Sequence, residues 1–128
     1  MNDLVKKYTG RSSSTMVFYN AANLCNEKFY AHSVDLYCAS FLIEFESMAE
    51  VSDLVHLRCI LNNIKICLLN CLQDEEERVQ IQRFITDDKS KLNHVIGICS
   101  RQFSGALLTD LTKLRCQIEA ISITPHQN

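Results

Sequence analysis

The stretch DLVHLRCILNNIKICLLNCL, residues 53–72, decides the fold class of this chain. Its apolar residues recur every three or four positions, which is the spacing of one face of an α-helix. This first face comprises Leu54, Leu57, Leu61, Ile64, Leu68 and Cys71. Val55, Cys59, Ile66 and Leu69 form a second apolar face, and Arg58, Asn62 and Lys65 form a narrow polar stripe. Because a helix that is apolar on most sides is packed by neighbours on two faces, we expect residues 53–72 to be the central helix.

The sequence on both sides of this stretch also has helical spacing. Further helices are predicted over residues 16–26, 29–46 and 75–85. The polar residues Asn26–Lys28 separate the first two, and the acidic run Asp74–Glu77 favours a helix start because it interacts with the positive end of the helix dipole. Residues 86–90 are predicted to be a loop. Residues 90–122 form either one long helix or two helices separated near Ser104-Gly105.

Length and composition predict a single all-α domain. The chain has 128 residues, enough for one core, with only three Gly and one Pro to form turns. We expect a short N-terminal helix and linker over residues 1–14, a helical domain over 15–123 and a frayed tail over 124–128. The linker prediction rests on GRSSS at residues 10–14, with Ser14 or Thr15 as the N-cap of the following helix.

The predicted architecture is a set of five or six helices packed as antiparallel pairs. The expected core residues are Leu24, Leu36, Tyr37, Leu57, Leu61, Ile64, Leu68, Val95, Cys99, Leu107, Leu111 and Leu114. The stripe from Leu107 to Ile121 is expected to cap the end of this core or to contact a partner.

The cysteines indicate a reducing compartment. There are seven, an odd number, and most lie in apolar helical stretches, where a free thiol behaves as a small hydrophobe. The first residues contain no apolar segment of a secretory signal. Asn62, Asn63, Lys65 and Asn70 interrupt the longest apolar stretch, so we expect no membrane span and predict a cytoplasmic or nuclear protein.

The segment VFYNAANLCNEKFYAHSVDLYCASF, residues 17–41, resembles a tetratricopeptide repeat. Large residues of the repeat match Val17, Leu24, Tyr30 and Tyr37, and small residues at helix crossings match Ala21, Ser33 and Ser40. A weaker resemblance follows in LNNIKICLLNCL, where Asn63, Ile64, Cys67 and Leu68 fit a first helix of such a repeat. Lys65 departs from the family there, because it stands where a small residue belongs.

The resemblance implies a non-enzymatic adaptor that binds a protein or peptide partner in a groove along the first helices of successive pairs. The partner-binding residues would be Tyr19, Asn23, Asn63 and Lys65. Some members of the family clamp a C-terminal carboxylate with Lys and Asn, but Asn23 is out of register for that role. The alternative is a bundle whose exposed apolar stripes associate with a second copy or with a larger complex.

Other classes of function receive less support from the residues. His56 and Cys71 are separated by about 22 Å along a helix, too far to share a tetrahedral zinc, so no metal or cofactor is expected. No Gly-rich phosphate loop or hydrolase motif occurs, so no catalytic residue is assigned. A net charge of −2 with scattered basic residues does not predict binding to nucleic acid or to a membrane.

Overall fold

The computed structural model describes residues 3–47, 54–86, 90–102 and 105–122, and every regular element in these ranges is an α-helix. The helices are α1 (Asp3–Asn26), α2 (Tyr30–Ser47), α3 (Leu54–Gln73), α4 (Glu75–Thr86), α5 (Lys91–Gln102) and α6 (Ala106–Ser122). The all-α prediction is confirmed. Of the two possibilities for residues 90–122, the structure has two helices, with Gly105 at a φ of +116° immediately before α6. Of the loop predicted over residues 86–90, Thr86 is the last residue of α4 and Ser90 directly precedes α5. Residues 87–89 and the predicted tail at 124–128 lie outside the described residues.

A three-residue turn reverses the chain between α1 and α2. The N–H of Phe29 donates to the carbonyl of Leu24 at 2.8 Å, and the N–H of Lys28 donates to the carbonyl of Cys25 at 3.0 Å. This pair of hydrogen bonds is the Schellman motif, which requires a left-handed residue after the helix. Lys28 adopts that conformation, with a φ of +68°. The predicted break at Asn26–Lys28 is therefore confirmed.

Helices α1 and α2 are antiparallel and approach closely through small residues. Ser14 is hydrogen-bonded to Ser40, and further along α1 the carbonyl of Ala21 accepts a hydrogen bond of 2.7 Å from the Ser33 hydroxyl. Later residues of α1 therefore contact earlier residues of α2, which is the arrangement of two antiparallel helices. Ala21, Ser33 and Ser40 are fully buried, as expected for small residues at a crossing.

Helix α2, and not α3, has the most central position. It packs against α1, α3, α4 and α5, whereas α3 packs against α2, α4 and α6. Two contacts set an antiparallel register between α2 and α3: Ser33 Oγ lies 3.4 Å from Cys67 Sγ, and Tyr37 Oη donates to Asn63 Oδ1 at 3.4 Å. The prediction that residues 53–72 form the central helix is therefore wrong, although their helical conformation is confirmed.

The predicted linker at residues 10–14 is also wrong. Helix α1 is continuous from Asp3 to Asn26, so Ser14 and Thr15 lie inside it and are not N-caps. The Ser14 hydroxyl is buried and bonds to Ser40 of α2. Glycine and serine disfavour a helix by less than about 1 kcal/mol per residue, which packing against a neighbour offsets.

The starts of α4 and α5 are capped by side chains, and α4 begins at the acidic run, as predicted. Asp74 Oδ1 accepts the N–H of Glu77 at 3.2 Å, and Ser90 Oγ accepts the N–H of Asn93 at 3.3 Å. Glu77 also reaches across the fold, since its Oε1 accepts the N–H of Ala31 at 2.9 Å. One residue of the acidic run therefore binds the N-terminus of α2.

Most of the predicted core is buried. The buried members are Tyr37, Leu57, Leu61, Ile64, Leu68, Val95, Cys99, Leu111 and Leu114. Leu36 and Leu107 pack against this core while partly exposed, and Leu24 is also only partly buried. The core joins residues of α1 to α6 into one cluster.

Candidate interaction surface on α1 and α3

The exposed side of α3 carries apolar residues that nothing in the described part of the chain covers. Val55 is 81% exposed, Ile66 52% and Leu69 42%, and Cys59 is also exposed. With Asn62 they follow a four-three-four-three spacing along α3, and we call the residues Val55, Cys59, Asn62, Ile66 and Leu69 the outer seam. This spacing is that of the helix surfaces that pair with another helix.

We expected neighbouring helices to pack on both apolar faces of α3. The exposure of the outer seam shows that this expectation is wrong for one of the two faces. The buried residues of α3, such as Leu57, Ile64 and Leu68, lie in the core that α3 shares with α2, α4 and α6. No other helix lies over the opposite side among the described residues, because α6 contacts α3 from the flank, through Lys65 and Asp110. The outer seam is therefore apolar surface of α3 that faces solvent among the described residues.

A groove lies beside the outer seam, between α3 and α1. Its volume is about 270 Å³. Its lining comprises Ser14, Thr15, Phe18, Tyr19, Ser40, His56, Cys59 and Ile60. Cys59 belongs to both the groove and the outer seam, so the two surfaces are continuous. The volume is large enough for one or two side chains of a partner, but it is at the low end for a small-molecule site.

The serine hydroxyls that line the groove are already hydrogen-bonded to each other's residues. The hydroxyls of Ser14 and Ser40 lie 3.1 Å apart, and each also donates to the other residue's carbonyl. The Phe18 ring packs edge-to-face on Tyr37, with ring centroids 5.2 Å apart. Burial raises the pKa of Tyr37 to about 12, so its hydroxyl stays protonated and donates to Asn63. A ligand in the groove would therefore meet mainly carbon and aromatic surface.

The structure separates the four residues predicted to bind a partner. Tyr19 is 64% exposed on the rim of the groove, and Asn23 is exposed one turn later on α1. Asn63 lies on the groove side of α3, where its amide donates to the Cys59 carbonyl at 2.8 Å. Lys65 lies on the other side of α3, 2.9 Å from Asp110 of α6. Tyr19, Asn23 and Asn63 thus border one surface, and Lys65 does not.

Sequence reasoning missed most of the apolar residues of this surface. Phe18 was not assigned to a site, and the second apolar face of α3 was expected to be packed by a neighbouring helix; its residues are Val55, Cys59, Ile66 and Leu69. The signal was present in the sequence, as a second stripe of helical spacing on α3. Periodicity shows that such a stripe must be covered, but it does not show whether the chain itself covers it.

The charged residues of α3 around the outer seam are all basic. Between Ser14 and Asn26, α1 has no charged residue, and α3 carries Arg58 and Lys65 but no Asp or Glu. On the α6 side, a shallow depression of about 170 Å³ adds Lys113 and Asp110. Arg58 is exposed, two helical turns before Lys65 and therefore on the same flank.

The cysteines of the interior are held as thiols. Cys67 Sγ lies 3.6 Å from Cys25 Sγ, and all seven cysteines of the chain are free. Burial raises the pKa of Cys67 to about 12 and that of Cys99 to about 11, which opposes formation of the nucleophilic thiolate. Within the described residues, no three His, Cys, Asp or Glu side chains are placed to hold a metal ion.

Residues Val55–Gln73 of α3 are long and apolar enough to cross a membrane by length and composition, so the expected polar interruptions do not exclude a span. In the described part of the chain this is the one such helix, and 39% of it is buried inside the bundle. Its buried residues belong to the core shared with α2, α4 and α6, as in the core helix of a packed domain. Its exposed apolar residues belong to the outer seam.

A scan against protein-family models, a search of curated proteins and a search of solved structures each return no match for the chain. The resemblance to tetratricopeptide repeats therefore rests on the quoted residues alone.

Proposed function

We propose that this chain is a non-enzymatic interaction module that binds a segment of a partner protein on the outer seam and the adjoining groove. The observation that carries the proposal is the uncovered apolar surface of α3, which is continuous through Cys59 with the groove and with Tyr19. Contiguous exposed apolar surface of this kind marks sites of protein association. The free thiols support the accompanying proposal of a reducing compartment, the cytosol or the nucleus.

Tyr19 is the residue on this surface with the best properties for an anchor. It is exposed, and its ring packs edge-to-face on Phe18 with centroids 6.2 Å apart. Tyrosine loses little conformational entropy on binding and combines an apolar ring with a polar hydroxyl, so it is enriched among residues that dominate binding energy. Asn23 and Asn63 offer amides at the edge of the same surface. We do not include Lys65 among the anchors on this surface, because it forms an ion pair with Asp110 of α6.

Self-association through the same surface is the second candidate, favoured by the exposure of the outer seam. A two-fold symmetric interface places the same patch on both subunits. In an antiparallel two-fold pair, the cations on the α6 side of the seam would face the same cations of the second copy, which opposes association. We therefore favour a different protein as the partner.

Selection from a displayed library of random protein fragments tests the proposal. Fragments that bind the wild-type protein are expected to lose about 10-fold or more in affinity for the double variant Val55→Ser/Ile66→Ser, since apolar anchors dominate binding energy. The matched control is Val79→Ser on α4, where an equally apolar side chain is 45% exposed away from the seam. Both proteins are expected to melt within a few degrees of the wild type.

Two results would contradict this function. If no fragment is enriched on the wild type over the double variant, the outer seam is not a binding surface. If the solution mass of the wild type rises across a hundredfold concentration range in reducing buffer, and the double variant stays monomeric, the surface is a self-association interface. A wild type that stays monomeric agrees with the adaptor.

A further inference from the structure

The dimensions of the outer seam fit one kind of segment. The seam runs from Val55 to Leu69, which corresponds to about 21 Å at 1.5 Å per residue. A helix of about four turns covers that length. Its four-three-four-three spacing matches the apolar stripe of an amphipathic helix laid along α3, and the groove beside Cys59 accepts a larger side chain from one edge of that helix.

The two edges of the seam differ in charge. On the α1 side the neighbours are Phe18, Tyr19 and His56, which give a mainly apolar edge. On the α6 side, Lys65 and Lys113 line a shallow depression together with Asp110, and Arg58 lies two turns before Lys65 on the same flank of α3. Asp110 is engaged with Lys65 at 2.9 Å, and neither Arg58 nor Lys113 forms an ion pair with another described residue. The α6 edge therefore has two cations available to a ligand.

Building on the proposed function, we infer that the bound segment is an amphipathic helix of about four turns that carries carboxylates along one edge only. Its apolar stripe covers Val55, Cys59, Ile66 and Leu69, and its Asp or Glu residues face Arg58 and Lys113. Charge complementarity of this kind selects the partner and fixes its orientation, while the apolar stripe supplies most of the affinity. The uncharged α1 edge explains why the acidic residues belong to one side.

An anionic membrane is a less suitable occupant of the same surface. Segments that bind anionic lipids cluster about four to eight Lys and Arg, whereas this edge has three together with one Asp. The groove is also concave and is lined by the rings of Phe18 and Tyr19 beside Cys59 and Ile60, a shape that receives a protruding side chain. A helix fills such a groove, and a lipid surface would leave it empty.

The test uses two synthetic 18-residue helical peptides with the same leucine stripe, one with Glu and one with Lys at three positions along one edge. Fluorescence anisotropy with the wild-type protein is expected to give about 10-fold tighter binding of the Glu peptide at low salt, and the difference is expected to shrink at 0.5 M salt. The double variant Arg58→Glu/Lys113→Glu is expected to reverse the preference.

A matched control carries the same change of net charge elsewhere. Arg83→Glu/Arg101→Glu replaces two exposed arginines on α4 and α5, and is expected to keep the wild-type preference. All variants are compared by circular dichroism, so that unfolding is recognised. Sedimentation with vesicles containing one third phosphatidylserine is run in parallel.

Each outcome has one meaning. If both peptides bind equally and both lose binding to Val55→Ser/Ile66→Ser, the inference that the partner carries carboxylates along one edge is wrong. The proposed function then still stands. Binding of neither peptide at 1 mM overturns both. Sedimentation with vesicles that requires Arg58 and Lys113, without a preference between the peptides, replaces the helix by a membrane surface.

Discussion

The inner and outer faces of α3 are built from the same residue types but lie in opposite environments. Ile64 and Leu68 are fully buried, whereas Ile66 and Leu69 are about half exposed. Both faces have the three-four spacing of a packed helix surface. Helices α2, α4 and α6 pack against α3 and bury its inner face, and the outer face stays exposed among the described helices. An apolar stripe therefore specifies that a helix surface needs a partner, and the arrangement of neighbours decides whether that partner is within the chain.

The largest expected effect compares two isoleucines two positions apart. Ile64→Ala is expected to lower the free energy of unfolding by about 2–5 kcal/mol, because it opens a cavity in the core. Ile66→Ala, made on the same helix with the same atoms removed, is expected to change it by less than about 0.5 kcal/mol. Urea unfolding followed by circular dichroism measures both. Equal losses would show that the outer seam is packed in the free protein.

Thiol reactivity distinguishes the same two faces without changing the sequence. Cys59 is exposed on the outer seam, and Cys67 is buried on the inner side, where burial raises its pKa to about 12. Alkylation by iodoacetamide at pH 8 is expected to be at least about 100-fold slower at Cys67, because both access and thiolate formation are reduced. Mass spectrometry of tryptic peptides gives the two rates. The two cysteines are expected to react at similar rates in urea, where both are exposed. If Cys59 and Cys67 also react at similar rates in the native protein, the inner face opens readily.

The smallest expected effect concerns the flank between the faces. Lys65→Met removes the ion pair with Asp110 and is expected to lower the free energy of unfolding by less than about 1 kcal/mol, since both partners are partly exposed to solvent. The methionine retains the apolar stem that lies between α3 and α6. Thermal unfolding at 0.05 and 0.5 M salt measures the loss, which is expected to be smaller at high salt. A loss above 2 kcal/mol would indicate that Lys65 is a structural residue of the α3–α6 contact.

The helices themselves could be predicted closely, because their signals are local. Asn26–Lys28 ends α1, Asp74 caps α4, and Tyr30–Ser47 matches the predicted helix over residues 29–46 within a residue. The absence of Gly and Pro from most of the chain left few positions where helices end. The local signal failed at residues 10–14, where Gly and Ser favour a loop but α1 continues and Ser14 is hydrogen-bonded to α2.

The candidate site could be predicted only in part, because it depends on contacts between distant segments. Tyr19 and Asn63 were assigned to a partner surface and lie beside the groove, but Lys65 was grouped with them although it faces α6. Lys65 and Asn63 are two positions apart, so they point to different sides of a helix. That spacing does not show which of the two sides of α3 faces α1 and which faces α6.

The sequence by itself determined that the chain is helical, where most of its helices start and stop, and which residues are apolar on each face. These properties follow from backbone preferences, capping side chains and periodicity, all of which act over a few residues. The tertiary structure decided that α2 is central, that α1 extends through Gly10–Ser14, and that one apolar face of α3 stays exposed. Burial depends on the position of every other helix, so a surface becomes a binding site only after the whole chain has packed.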